Sequence, residues 1–171
     1  YSFLENYIFY FPNEDKYMAP TELLYRVGYI PFSWSDNYGL FIQNVQSGET
    51  ATSIGEVKYI EPLQYDQNID RLDIKIDFDG EFDALNLDIL RTLTGYNATF
   101  IQPIFQLVSE SDSELVVNEL LNLSGKDIDL KDFKLVNASM DSIYLKPFKI
   151  HGTASTSSSF YGKAGRRYLL K

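Results

Sequence analysis

The chain has 171 residues, 44% hydrophobic and 23% charged, a balance typical of globular proteins that argues against intrinsic disorder. The formal net charge of −9 makes nucleic acid and anionic membranes poor partners, because phosphate binding requires clustered Lys and Arg. The absence of cysteine excludes disulfides, thiolate nucleophiles and sulfur-ligated zinc within this stretch. No apolar run approaches the roughly 18 residues that a membrane-spanning helix requires.

The first part of the chain, residues 1–63, predicts short strands separated by turns and loops. Apolar and aromatic runs bounded by Pro, Asn, Asp and Gly are typical of strands that end in turns. The predicted strands are residues 7–11, 16–18, 38–44 and 56–60, with one helical turn at 22–27 and a loop at 30–37. The polar residues 64–68 are the predicted boundary to a second domain, residues 64–171.

The second part opens with the clearest periodicity in the sequence. Leu72, Ile74, Ile76 and Phe78 alternate with charged residues, which indicates a half-buried strand. Asp79-Gly80 then suits a tight turn, and residues 82–90 return as the second strand of a hairpin.

Helices are predicted near residues 97–108 and 112–123, where apolar residues recur at three- and four-residue spacing. Pro103 predicts a late start or a kink in the first helix. Ser111 and Glu114 form a capping box for the second, and Gly125 lies where a helix would end. Strands are predicted at residues 132–137, 145–154 and 167–171, with a flexible loop at 155–159. The predicted fold class is α+β, mainly β, with an antiparallel β-sandwich-like second domain carrying two inserted helices.

Several groups of residues have the composition of a chemical site but lack its pattern. Asp66, Asn68 and Asp70 are spaced like the start of a calcium loop, yet Arg71 occupies the position that needs glycine. The carboxylates around residues 77–83 are interpreted as a solvated acidic turn. His151 has no second His or Cys that would complete a metal site and is interpreted as structural or exposed. We therefore expect no cofactor and no metal, although calcium at the acidic hairpin stays open.

One aromatic group lies in a loop-rich region and offers two interpretations. Its rings can stack on a sugar or a peptide, or they can pack locally on the domain. The members are Tyr25, Tyr29, Phe32, Trp34 and Tyr38.

The run from Leu4 to Pro12, followed by Tyr17 to Thr21, resembles the last part of the transglutaminase-like (papain-related) core. It is most similar to bacterial envelope proteins that flank this core with β-rich domains of unknown function. The run from Tyr29 to Phe32 is similar to a region that follows the core's catalytic aspartate. The runs Gly95–Ala98 and Phe133–Asn137 resemble the β-rich domain after the core.

This resemblance implies a site that has lost its chemistry. In active relatives a His begins one strand and an Asp ends the next, and both serve a cysteine on an upstream helix. Here Asn6 falls at the His position and Ala19 at the Asp position, while the cysteine would precede Tyr1. Asn cannot act as a general base near neutral pH, and Ala cannot orient one. The resemblance therefore implies a catalytically inactive core whose sheet survives.

Three functional hypotheses follow. The first is a non-catalytic structural or binding fragment of a longer bacterial envelope protein, located in the periplasm or cell envelope as the resemblance implies. Residues 1–63 would then end a degenerate transglutaminase-like core. The second is a carbohydrate- or peptide-binding module that uses the aromatic loop from Tyr25 to Tyr38. The third is a fragment of an active transglutaminase-like cysteine hydrolase. The expected partners are protein or glycan and the remainder of its own chain, with no nucleic acid.

Overall fold

A computed structural model describes residues 6–78, 84–122, 128–157, 161–165 and 167–170. The chain forms two compact units, Tyr1–Gln67 and Asn68–Lys171. Every strand pair in the described residues is antiparallel, and the predicted class, α+β and mainly β, is confirmed. The predicted Asp79-Gly80 turn, the carboxylates that follow it and the helix end at Gly125 lie outside the described residues.

The first unit contains two antiparallel hairpins. Strands β1 (Phe9–Phe11) and β2 (Lys16–Met18) pair with Phe9 opposite Met18. Strands β3 (Asn37–Ser47) and β4 (Thr50–Ile60) pair along all eleven residues of each. Gly48 has φ +62° and opens the two-residue turn between β3 and β4, where a first residue of positive φ matches the twist of the strands.

Two local predictions for this unit were wrong. Strand β4 begins six residues before the predicted start, at Thr50, because pairing with β3 extends it through small polar residues with no strand pattern of their own. The helical turn at residues 22–27 does not form. That segment contains separate turns instead, with Tyr25 N–H donating to the Glu22 carbonyl at 3.1 Å, since one isolated helical turn has too few hydrogen bonds to offset its ordering.

The second unit is built on a four-stranded antiparallel sheet in the order β5-β6-β8-β7. Its strands are β5 (Asp70–Phe78), β6 (Ala84–Leu93), β7 (Asp129–Val136) and β8 (Phe148–Ser157). A separate pair follows, β9 (Tyr161–Ala164) with β10 (Arg167–Leu170). Strand β8 starts three residues later than predicted and runs through Ser157 into the segment predicted as a loop, because it pairs with both β6 and β7.

The described residues between β6 and β7 form three helices, α1 (Tyr96–Thr99), α2 (Ile104–Leu107) and α3 (Glu110–Leu121). The first predicted helix is split into α1 and α2, since Pro103 cannot donate a helical hydrogen bond and caps α2 instead. Helix α3 starts before the predicted capping box. Its N-cap is Ser109, whose hydroxyl accepts from Asp112 N at 3.2 Å, so the cap assigned to Ser111 was wrong.

The core of the second unit lies on one face of this sheet, where helices cover it. Leu85, Leu87, Ile89 and Leu93 on β6 and Phe148, Ile150 and Ala154 on β8 pack with Val117 and Leu121 of α3. Gly152 of β8 lies beneath α3, where a Cβ would overlap Leu121 Cδ1 and lie 3.2 Å from Leu130 Cδ1. A glycine here therefore permits close approach of helix and sheet.

Candidate functional site

The aromatic cluster of the first unit forms where its two hairpins meet. Tyr10 and Tyr17 are cross-strand neighbours on β1 and β2, with ring centroids 5.0 Å apart. Phe41 of β3 contacts both, at 5.5 Å from Tyr10 and 6.3 Å from Tyr17, in edge-to-face arrangements. Such edge-to-face contacts are favourable beyond the area that they bury.

Beside this cluster lies a groove of about 530 Å³ between the N-terminal part of β1 and strand β3. None of the described residues that line it is formally charged, although the chain as a whole has a net charge of −9. Its lining residues are Asn6, Tyr7, Ile8, Phe9, Tyr10, Ser33, Trp34, Asn37, Gly39, Leu40, Phe41, Ile42 and Ile60. We call this feature the uncharged groove.

The phenol groups of Tyr10 and Tyr17, in and beside the groove, do not act as bases near neutral pH. The Tyr10 hydroxyl donates a hydrogen bond to Asp15 Oδ1 at 2.9 Å, and this bond raises the pKa of Tyr10 above its ordinary value. Burial raises the pKa of Tyr17. Both phenols therefore stay protonated near neutral pH, where they donate hydrogen bonds and take no proton.

The two positions that the resemblance assigns to catalysis occupy different surroundings. Asn6 is exposed and lines the uncharged groove. Ala19 is only 2% exposed and packs in a buried apolar cluster with Ile30 and Ile60. The register of β1 and β2, continued by one residue beyond Phe9 and Met18, places Ile8 opposite Ala19. Neither an amide nor a methyl group ionises, so these side chains supply no acid or base.

The predicted aromatic loop is spread over several environments. Trp34 lines the groove and packs against the buried cluster of Ala19, Ile30 and Ile60. Two of the others are strongly exposed, Phe32 at 61% and Tyr38 at 70%.

The remaining two rings of that loop are partly buried. Burial is the main cause of a raised pKa at both Tyr25 and Tyr29. Of the five predicted binding residues, Trp34 alone lines the uncharged groove.

The sequence predicts strands at residues 7–11 and 38–44, but it does not indicate that they line a groove. Their residues are apolar or aromatic, which is also the pattern of a core strand. One available signal was the complete lack of charge over residues 6–12 and 37–47, in a chain where 23% of residues are charged.

A second set of polar side chains lies on the open face of the four-stranded sheet. His151 Nε2 lies 2.5 Å from Asp88 Oδ1, and Lys75 Nζ lies 4.0 Å from Asp88 Oδ2. These groups line a shallow depression of about 380 Å³. Its lining residues are Asp73, Lys75, Asp88, Leu90, Lys134, Val136 and His151, none of which is a Ser, Thr, Tyr or Cys nucleophile.

His151 therefore has a partner that lies 63 residues away in sequence. Both side chains are nearly half exposed, at 45% for His151 and 46% for Asp88. A solvent-exposed polar contact of this kind contributes little to stability, typically about 0–1 kcal/mol. The arrangement fits a charged, solvated sheet face better than a catalytic pair.

Two of the residues with calcium-loop spacing, Asn68 and Asp70, have structural roles. Asp70 is held by Arg91, with Nε donating to Oδ1 at 2.9 Å and Nη2 to Oδ2 at 2.7 Å. Asn68 Oδ1 accepts from the Asn97 main-chain N–H at 3.2 Å. Among the described residues no group of three or more His, Cys, Asp or Glu is placed to hold a metal ion. The helices described are also all too short or too polar to span a membrane.

Comparison with known proteins gives no match. No family model fits the chain, and no curated protein or solved structure is significantly similar to it.

Proposed function

We propose that this chain is a non-catalytic binding fragment of a longer bacterial envelope protein, and that its first unit, the end of a degenerate transglutaminase-like core, binds a partner in the uncharged groove. The observation that carries the proposal is the groove's lining, which is rich in aromatic and aliphatic side chains and lacks formal charge. The periplasmic or envelope location is supported by the sequence resemblance.

The chemistry of the groove favours binding over catalysis. Binding sites are typically concave, mostly apolar and furnished with a few polar groups that fix orientation. The polar side chains here are amides, hydroxyls and the indole N–H, supplied by residues such as Asn6, Ser33, Trp34 and Asn37. These groups donate and accept hydrogen bonds without transferring protons near neutral pH.

A direct test uses Trp34, the single tryptophan of the chain, as a fluorescent reporter in the groove wall. The ligands are a panel of defined peptides and a panel of envelope-type oligosaccharides. Leu40→Asp places a charge in the groove at a side chain that is 64% exposed, so it changes binding with little effect on folding. Leu23→Asp is the matched control, since Leu23 is 99% exposed and does not line the groove.

The expected result is a saturable fluorescence change with at least one ligand, weakened at least tenfold by Leu40→Asp and unchanged by Leu23→Asp. A response that both variants retain would place binding elsewhere. A flat response across both panels would refute the proposed function.

The active-hydrolase alternative has its own test. The full-length protein is assayed for amide hydrolysis and transamidation, with and without a thiol alkylator. We expect no turnover, because the Asn6 and Ala19 positions supply neither base nor orienting carboxylate. Turnover that the alkylator abolishes would overturn this assignment.

A further inference from the structure

The hairpin of β3 and β4 has two faces of different composition. Cross-strand partners lie on the same face of a hairpin, and successive residues alternate between the two faces. The packed face carries Phe41 and Ile60, which contact the aromatic and buried apolar clusters of the first unit. The opposite face, which we call the apolar face, carries three successive pairs, Tyr38–Tyr59, Leu40–Val57 and Ile42–Gly55.

Side-chain contacts agree with this division. The rings of Tyr38 and Tyr59 meet edge to face, with their centroids 5.5 Å apart. A Cβ added at Gly55 would lie 3.2 Å from Leu40 Cδ1, so Leu40 leans over the glycine on the same face. The Tyr59 hydroxyl donates to the carboxylate of Asp36, which gives the polar atom of this ring a partner. The apolar face therefore presents mainly ring and aliphatic surface.

The charges of this hairpin are distributed in an unusual way. An ordinary half-buried hairpin buries its apolar face and turns its charged residues to water. Here both charged residues of the two strands, Glu56 and Lys58, lie on the packed face and pair with each other at 2.9 Å. The five large side chains of the apolar face are all uncharged, yet each is between 41% and 70% exposed. Exposed apolar patches of this kind are typical of protein interfaces.

The first unit also buries few apolar side chains of its own. Among its described residues, 6–67, the buried apolar side chains are Ala19, Ile30 and Ile60. A domain of roughly 60 residues is marginally stable even when its core is well filled. The apolar face leaves five large side chains in water, against three in this core. Covering the face would therefore supply burial that the unit lacks by itself.

The size of the apolar face fits a second copy of this chain. Its five large side chains together expose roughly 600 Å², if a fully exposed side chain of this size presents roughly 200 Å². Two such faces packed together would bury roughly 1,200 Å², which is the lower end of the range for specific protein interfaces. Burial of this extent is enough for a reversible dimer.

The relief of the apolar face favours the same partner. The tyrosine pair makes one end high, Gly55 makes the other end low, and the Leu40–Val57 pair lies midway between them. A two-fold axis that runs across the strands at the middle pair places the high end of each copy on the low end of the other. Tyr59 of each copy then faces Gly55 of the other copy. The face is therefore complementary to itself, as a symmetric dimer requires.

We propose that the apolar face is the interface of a two-fold symmetric dimer of this chain, in which two β3–β4 hairpins pack face to face. Packed sheets lie about 10 Å apart, so one layer of side chains from each copy fills the space between them. The dimer goes beyond the proposed ligand binding, because Tyr38, Val57 and Tyr59 are not among the described residues that line the uncharged groove.

A matched pair of charge substitutions on β4 tests this interface. Val57→Glu places a carboxylate at the middle pair, where the two-fold axis brings the carboxylates of both copies together. Ile54→Glu is the control, because Ile54 lies on the opposite face of the same strand and is 58% exposed, against 65% for Val57. Sedimentation equilibrium over a concentration series gives the dimer dissociation constant of each variant, and circular dichroism checks its folding.

We expect the wild-type chain and Ile54→Glu to dimerise with similar dissociation constants. Val57→Glu should raise the dissociation constant at least about tenfold, since like charges meet in a surface removed from water. A wild-type chain that stays monomeric up to about 0.5 mM would overturn the proposal. A folded Val57→Glu variant that dimerises as well as Ile54→Glu would place the dimer contact on another surface and would also overturn it.

Cross-linking tests the same arrangement if Val57→Glu does not fold. The chain has no cysteine, so a single introduced thiol reacts alone. Val57→Cys and Ile54→Cys are each treated with a bismaleimide that spans about 10 Å, the spacing of packed sheets. We expect a covalent dimer of Val57→Cys and little of Ile54→Cys, whose thiols would lie on the outer sides of the two hairpins. Equal cross-linking of both variants would overturn the two-fold arrangement.

Failure of the dimer and failure of the proposed binding function are distinguishable. Neither Val57 nor Ile54 is among the described residues that line the uncharged groove, and ligand binding there is followed separately by Trp34 fluorescence. A monomeric chain that still binds a ligand in the groove would refute the dimer alone. A dimer with a flat response to every ligand would refute the proposed binding function alone.

Discussion

The close contact of helix α3 with the sheet depends on Gly152, and Gly152→Ala tests this dependence. A Cβ at this position would overlap Leu121 Cδ1 and lie 3.2 Å from Leu130 Cδ1. Leu121 is fully buried, so its side chain has no open space into which it can turn. The added methyl group must therefore displace the helix or force Leu121 out of its preferred rotamer.

Two opposing effects set the size of the change. Replacing a strand glycine with alanine by itself stabilises the folded state by about 0.5–1 kcal/mol, because the unfolded chain loses conformational freedom. Overpacking a well-packed core costs about 1–3 kcal/mol. We expect overpacking to prevail here, with a net loss of about 1–2 kcal/mol in the free energy of unfolding.

The assay is urea unfolding of the chain, followed by far-UV circular dichroism. The matched control is Gly55→Ala, since a Cβ there lies 3.2 Å from the Cδ1 of Leu40, which is 64% exposed and free to move. This control is expected to be neutral or slightly stabilising. In the double variant Gly152→Ala with Leu121→Ala, the removed leucine atoms leave room for the new methyl group. Its destabilisation should fall short of the sum of the single changes by at least about 0.5 kcal/mol.

A neutral or stabilising Gly152→Ala would refute the reasoning, because it would show that Leu121 and α3 adjust freely. Strict additivity in the double variant would show that the two positions do not interact. Trp34 lies in the first unit, so its fluorescence also reports whether that unit unfolds with the second or separately.

Two further predictions concern polar side chains of the second unit. The hydrogen bonds from Arg91 lower the pKa of Asp70. The paired carboxylate therefore stabilises the fold at pH values above its unfolded pKa of about 3.9. This stabilisation is lost as the pH falls through the lower pKa of the folded state. Asp70→Asn should therefore reduce the free energy of unfolding by up to about 1 kcal/mol at pH 7. In urea titrations this difference from wild type should shrink below about pH 4. A difference that stays constant down to about pH 2 would contradict the prediction. Gln102→Met should cost about 1–3 kcal/mol in the same measurement at pH 7, because fully buried Gln102 Nε2 donates to the carbonyls of Asn137 at 2.7 Å and Ser139 at 2.8 Å. An unchanged unfolding midpoint for this variant would show that these carbonyls find other donors.

The elements that sequence predicted best carry their own periodic signal. The alternation from Leu72 to Phe78 is long and regular, and β5 spans it in full. Segments that form strands only through pairing with another strand were predicted least accurately. Residues 50–55 have no apolar alternation and become strand because the turn at Gly48 aligns them with β3. The Asp88–His151 contact joins β6 and β8 across 63 residues, and no local pattern indicates it.

The candidate site was only partly predictable for a related reason. The residue type and loop setting of Trp34 predict a binding role, and Trp34 lines the groove. The sequence does not indicate that these strands line a groove, because a strand of the core and a strand that lines a groove share the same apolar composition. What distinguishes them is how the two hairpins pack, which no local sequence pattern specifies.

The surroundings of Ala19 connect the sequence resemblance with the proposed binding role. Its methyl group is 2% exposed among the apolar side chains of Ile30 and Ile60. A carboxylate at this position would lose its hydration and would need a charged or hydrogen-bonding partner, which these side chains do not provide. The neighbouring groove likewise presents an amide at Asn6 and no formal charge along its lining. These apolar surroundings support the proposal that the first unit binds a partner and is not catalytic.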